Sequence, residues 1–161
     1  MSRIFWDTNL FIYFLEGSDE LSRATKRLRQ NMLRRGDQLI TSALTLGEIL
    51  VKPLERGDDA QCRSYAEAIS KAALLLSFDA KAAWKYAALR CDRSLRAPDA
   101  LQLACAASAG VDLFVTNDRR LQGKHIEGIQ FIVALDQVPI STNYSISVSQ
   151  RSCRCTMPRR F

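Results

Sequence analysis

The sequence predicts an α/β protein built on a mainly parallel sheet. Two observations carry that expectation. Five short, β-prone apolar runs alternate with segments of helical period, and several runs end directly in polar residues or helix-capping residues. At 161 residues the chain is expected to form about one domain. With 47% hydrophobic and 25% charged residues it can bury a core without a disulfide or metal staple.

Arg3-Ile4-Phe5-Trp6 reads as a buried first strand, stopped by Asp7-Thr8-Asn9. A helix starts at Leu10, runs to Leu15 and is broken by Gly17-Ser18. Glu20 to Arg35 places Leu21, Ala24, Leu28 and Met32 at helical spacing among six basic residues, the pattern of an amphipathic surface helix. Gly36-Asp37 is a turn, Gln38 to Thr41 a brief second strand, and Ser42 an N-cap for a helix through Leu50. Pro53, Gly57 and Asp58-Asp59 are expected to loosen the chain before a helix over Ala60 to Lys71. That helix carries an apolar stripe, Cys62, Tyr65, Ala66 and Ile69, suited to packing within the monomer or to a partner helix.

Ala73 to Phe78 is a third strand candidate, and Asp79 caps a helix over Ala80 to Cys91. Pro98 suits the first turn of a helix reaching Ala109, and Gly110 suits the position just past its end. Val111 to Thr116 is the fourth strand, ending at Asn117-Asp118, and Phe131 to Ala134 the fifth. From Val138 the periodicity fails, so residues 1–137 are expected as the folded domain and 138–161 as a poorly ordered Ser/Arg-rich tail.

Charge and cysteine content narrow the function classes. Residues 1–136 hold 19 Lys/Arg against 17 acids, whereas residues 137–161 add Arg151, Arg154, Arg159 and Arg160 with no acid. The net charge of +6 thus lies largely in the tail, which could itself contact a polyanion such as nucleic acid. Apolar runs such as Leu10 to Leu15 are too short to span a bilayer, so no membrane role is expected, and MSRIFWDTN does not read as a signal peptide. Five cysteines (Cys62, Cys91, Cys105, Cys153, Cys155) and one histidine, His125, provide no four-ligand zinc spacing. They read as reduced thiols in a cytoplasmic protein, and those inside helices as small buried hydrophobes.

In an open parallel sheet, ligands bind beyond the carboxyl ends of the strands. Asp7 follows the first strand and Asp118 the fourth, while Asp99 lies in a helix first turn and Glu48 in the helix after strand two. Singly, each has an ordinary explanation as a cap, a partner of a helix dipole or a surface charge. Together they suggest more. Trp6-Asp7-Thr8-Asn9 and Val115-Thr116-Asn117-Asp118 set the same acid, hydroxyl and amide chemistry at two strand ends. Glu48 is the only charge in Leu44 to Val51. Gathered carboxylates repel and call for a cation, and an oxygen-only set selects a hard ion, Mg²⁺ or Mn²⁺. Such a site suits phosphodiester hydrolysis.

These segments resemble the PIN-domain ribonucleases, most closely the VapC-type toxins of bacterial toxin–antitoxin modules. The resemblance covers residues 3 to about 135. It rests on Ile4 to Asn9, Thr41-Ser42 to Glu48, Arg96-Ala97-Pro98-Asp99 through Ala104, and Leu113 to Asp118, in that order. It implies a Rossmann-like three-layer α/β/α sandwich and a Mg²⁺- or Mn²⁺-dependent endoribonuclease. It also implies a homodimer, and inhibition by a cognate antitoxin whose helix would sit in a groove with an Arg or Lys directed at the acids. Carried over by position, the catalytic and metal-binding acids fall on Asp7, Glu48, Asp99 and Asp118, with Thr8, Asn9 and Thr116 in support. Asp7 and Asp99 would hold the principal metal and Asp118 complete or bridge the site. Glu48 is a further ligand or positions the attacking water. Gln102-Leu103 departs from the His or Ile of many relatives, a difference expected to bear on helix packing or substrate contacts and not on the acids. Arg96, Arg119 and Arg120 flank the acids and are either phosphate contacts or solvated charge.

Two rivals remain. An aspartyl-phosphate phosphatase of the haloacid-dehalogenase kind also begins after a first strand, but position 9 holds Asn where a second Asp is wanted. No suitable Lys follows strand four either. The other rival is a PIN-fold RNA- or protein-binding module without catalysis.

Overall fold

The computed structural model describes residues 1–138. Elements follow in the order β1 (Arg3–Trp6), α1 (Thr8–Glu16), α2 (Glu20–Arg35), β2 (Gln38–Ser42), α3 (Ala43–Glu55), α4 (Asp59–Ala72) and β3 (Leu74–Leu76). Then come α5 (Ala80–Leu89), α6 (Ala97–Ala109), β4 (Val111–Val115), β5 (Ile129–Val133) and a short 3₁₀ turn, Leu135–Gln137. The strands form one all-parallel sheet in the order β3-β2-β1-β4-β5.

The alternation of side chains along each strand divides the core into two faces. Ile4, Trp6, Leu39 and Val115 join Leu10, Phe11, Leu28, Met32, Ile49 and Ile69 on the side covered by α1 to α4. Phe5, Ile40 and Phe114 face the other way, onto Ala100, Leu103 and Ala106 of α6, with Tyr86 and Leu89 of α5 beside them. Phe5 and Phe114, neighbours across β1 and β4, stack at 4.9 Å between ring centroids. The result is the expected three-layer α/β/α sandwich, with β1 buried on both faces at its centre. Phe5→Ala would cost about 3–5 kcal/mol by the usual large-to-small penalty.

Several boundaries differ from expectation, each for a local reason. Helix α1 starts at Thr8 because the Asp7 carboxylate accepts from the Thr8 N–H and caps it. Pro53 does not end α3. Its ring is buried, and the break falls at Gly57, whose φ of +68° suits glycine. Helix α5 stops at Leu89, which leaves Cys91 exposed rather than buried in a helix, while Cys105 is buried. Strand β5 begins at Ile129, directly after Gly128. There φ is +96°, and a Cβ would collide with the Ala107 carbonyl. On α4 the apolar stripe turns inward, with Ile69 buried and Tyr65 packed half-buried against the same cluster. Val138, expected to open the tail, is instead buried in that cluster, and the rest of the expected tail, residues 139–161, lies outside the described residues. Among the described residues no helix is long and apolar enough to cross a membrane.

Candidate active site

The chain begins in the middle of the sheet, moves outward through β2 and β3, then returns to the far side of β1 as β4. The direction of winding therefore reverses between β1 and β4, and the crevice at their carboxyl ends is where such sheets take ligands. Asp7 and Thr116 stand at those two ends, and the Asp7 N–H donates to the Val115 carbonyl at 3.1 Å.

The Asp7 carboxylate is the best-anchored acid of the set. One oxygen accepts from the Thr8 N–H at 2.8 Å, and the other from the Thr116 hydroxyl at 2.7 Å and the Asn9 amide at 3.1 Å. Asn9 also donates to Thr116 Oγ1 at 3.2 Å, and the Asp118 N–H donates to that hydroxyl oxygen at 3.0 Å. Thr8, Asn9 and Thr116, the positions that the family resemblance puts in support, all donate to the Asp7 carboxylate. Burial nevertheless pushes the Asp7 carboxyl above its ordinary value; the Thr116 and Thr8 bonds oppose this, and the Asp99 and Glu48 charges add to it.

Helix α6 brings in Asp99 from its first turn, and α3 brings in Glu48, which accepts a short hydrogen bond from the Thr8 hydroxyl. Burial raises the Asp99 carboxyl as well, against the pull of Arg120. Asp118 behaves oppositely. The Arg120 guanidinium donates to both of its oxygens, through Nε at 3.0 Å and through a shorter Nη2 contact, and holds its carboxyl below the ordinary range. The same Nη2 lies 3.5 Å from Asp99 Oδ2. Arg120 thus reaches across the acids instead of pointing away toward a phosphate. Arg96, at the N-cap of α6, and Arg119 are exposed.

All four predicted acids line this one crevice edge, in two linked groups: Asp7–Thr8–Glu48, and Asp99–Arg120–Asp118. Among the described residues no three acids close on a single ion-sized point. The donor set still fits a hard divalent ion, since it is all oxygen and Asp7 has only neutral donors, although Arg120 already reaches Asp99.

A buried polar layer beneath the acids was not assigned to the site from sequence. Ser42 occupies the N-cap position of α3, yet its hydroxyl makes no cap bond and donates to Gln102 Oε1 at 2.6 Å. Gln102 Nε2 donates to Thr8 at 3.0 Å and to Thr45 at 2.9 Å. The available signal was an amide within the apolar run Ala100 to Ala107, one turn beyond Asp99.

A winding reversal flanked by carboxylates from two strand ends defines a doubly wound α/β protein with an acidic site, and the family follows from comparison. The PIN domain profile matches residues 4–125, and the chain belongs to the PIN-domain family. Among curated proteins none matches the sequence. Solved structures that it resembles include VapBC2 from Rickettsia felis bound to a DNA fragment from its promoter. That match has 17% identity and a TM-score of 0.63, covering 82% of this chain and 98% of that one. DNA-bound VapBC from Salmonella typhimurium is similar at 21% identity and TM-score 0.63, covering 84% and 99%. A third is VapBC-5, of the VapBC family of toxin–antitoxin systems in Mycobacterium tuberculosis, at 22% and 0.55, covering 82% and 98%. At these identities the likeness is one of fold.

Proposed function

We propose that this protein is a VapC-like toxin, an endoribonuclease that hydrolyses RNA phosphodiester bonds with Mg²⁺ or Mn²⁺ and is held in check by a cognate antitoxin. The observation that carries this reading is geometric: the half-buried Asp7 carboxylate stands at the winding reversal, held by neutral donors alone, with the Asp99 and Glu48 charges close enough to raise it. PIN-family membership and the fold shared with VapBC proteins support the same reading.

Asp7 and Asp99 would hold the ion, with Asp118 completing the site. Bound there, it would supply polarisation of the phosphate and activation of water. Glu48, on the exposed rim and gripped by Thr8, is set to orient the attacking water and take its proton. Arg96 and Arg119, both exposed, would meet phosphates of a bound strand. Arg120 must turn off Asp118 and Asp99 before they can ligate, and it is then free to meet the substrate. The folded domain includes Val138, works in the cytoplasm and pairs as a homodimer in this reading.

One observation favours the rival of a non-catalytic binding module: Arg120 already neutralises two of the acids. A single assay separates the two. Purified protein should cleave single-stranded RNA with Mn²⁺, and EDTA should abolish the cleavage. RNA left intact with Mn²⁺ would establish the binding module. Growth arrest on expression, relieved by a small protein encoded beside this chain, tests the toxin–antitoxin assignment.

A further inference from the structure

Gln102 lies one helical turn after Asp99 on α6 and is 2% exposed. A polar side chain that deep must use its donors and acceptor, and this one uses all of them. Oε1 accepts from Ser42, and the two Nε2 protons go to Thr8 and Thr45. The orientation of the amide is forced by chemistry. Glu48 is an acceptor only, so the single Thr8 hydroxyl proton belongs to Glu48, and Thr8 Oγ1 must accept from beneath. Turning the amide over would set an acceptor against an oxygen with no proton left to give.

Thr8 and Thr45 stand 3.2 Å apart, close enough to bond to each other. Gln102 holds the two oxygens side by side by donating one proton to each. Thr45 is anchored further by Thr41, whose hydroxyl reaches it at 2.8 Å and the Trp6 carbonyl of β1 at 2.9 Å. Without the amide, Thr8 and Thr45 would turn toward one another and Thr8 would gain a second acceptor. Hydrogen bonds in series polarise one another, so the bond that Gln102 gives Thr8 from the buried side acts on the exposed bond from Thr8 to Glu48. The effect of Gln102 is therefore delivered at the Glu48 carboxylate, which it never touches.

We propose that Gln102 is a positioning residue of the site: its buried amide locks the Thr8 hydroxyl as a donor to Glu48 and so fixes the carboxylate that faces the crevice. Glu48's part in RNA hydrolysis rests on the function proposed above; the lock itself does not. Two readouts keep them apart. The first is the ¹³C signal of the Glu48 carboxyl carbon in the metal-free full-length protein at neutral pH. It should move in Thr8→Val, which deletes the donor, and move in the same direction in Gln102→Met, which keeps the length and removes the amide. In Thr8→Ser it should stay near its original position.

The second readout is Mn²⁺-dependent cleavage of single-stranded RNA. Gln102→Met should lower kcat about tenfold with KM changed less than about threefold, and Thr8→Val/Gln102→Met should be no slower than Thr8→Val alone. An unmoved Glu48 carbon in folded Gln102→Met, or losses that multiply in the double variant, would overturn the proposal. Should Gln102→Met fail to fold, Gln102→Leu removes the amide without adding a charge and must move the same carbon. A moved carbon in a protein that leaves RNA intact would sink the nuclease reading and keep the lock.

Discussion

Asp7 and Asp118 follow neighbouring strands, β1 and β4, yet their surroundings are opposite. Asp7 is held by neutral donors only: a backbone N–H, a threonine hydroxyl and an asparagine amide. Burial raises its carboxyl despite all three. Asp118 is more open, with a guanidinium on both oxygens, and its carboxyl is lowered. The Asp7 side is a fixed wall braced from below by Gln102, Thr45 and Ser42. The Asp118 side carries its own counter-ion on a flexible stem. An arriving cation would thus find one half of its site in place and would have to displace an arginine from the other.

The largest expected effect is on catalysis, and it tests whether the fixed half matters more. Asp7→Asn turns an acceptor into a donor facing Asn9 and Thr116 and removes a proposed metal ligand. Mn²⁺-dependent RNA cleavage should fall by on the order of a thousandfold. Arg120→Met, on the mobile half, should retain cleavage within about tenfold of the wild type. Equal losses in the two variants would erase the distinction between the halves.

Next in size is the stabilisation by metal, measured by thermal melts. Mn²⁺ at about 100 times its dissociation constant should stabilise the wild type by about 2.7 kcal/mol, and Asp99→Asn by much less. In EDTA the order reverses. Because burial penalises the charged Asp99 carboxyl, Asp99→Asn should melt about 1–2 °C above the wild type. A full metal shift in Asp99→Asn would remove that residue from the site.

Replacing the arginine itself is a smaller and sharper probe. Without metal, Arg120→Met leaves Asp118 and Asp99 uncompensated, and the melting temperature should fall slightly, as for an exposed pair. With Mn²⁺ the same change removes a competitor, so the Kd should fall by up to about fivefold. Weaker Mn²⁺ binding in Arg120→Met, by titration calorimetry, would show that the guanidinium assists the ion instead of opposing it.

How much of this was readable before the fold was known depends on the reach of each interaction. Asp7 and Asp118 announce themselves because a strand run stops at each, and the sheet then brings those stops together. Asp99 is equally local, in a first turn marked by Pro98. The supports joined by backbone proximity, Thr8 and Asn9, follow with Asp7. The layer below does not, because Gln102 meets Ser42 and Thr8 across 60 and 94 residues of sequence. Ser42 even presents the local signature of a cap while its hydroxyl is used elsewhere. Arg120 could have pointed either way. Its place is decided by side-chain rotamer and by the charges of α6, which no local pattern encodes.

The smallest effect is also the one that separates the halves by sign, through the pH dependence of stability in EDTA. For Asp7 the folded carboxyl lies above its ordinary value of 3.8. The folded state therefore holds that proton more tightly than the unfolded chain, and the group's contribution is most favourable below 3.8 and is lost as pH rises through the folded value. For Asp118 the folded carboxyl lies below 3.8, so its contribution is present above 3.8 and is lost as pH falls through the folded value. Melting the wild type against Asp7→Asn from about pH 3 to 6 should show the wild type losing ground as pH rises. Melting it against Asp118→Asn over the same range should show the wild type gaining ground. Constant offsets between the variants do not matter, because only the slopes carry the titrations. Two slopes of the same sign would mean that Arg120 does not distinguish the two carboxylates in solution.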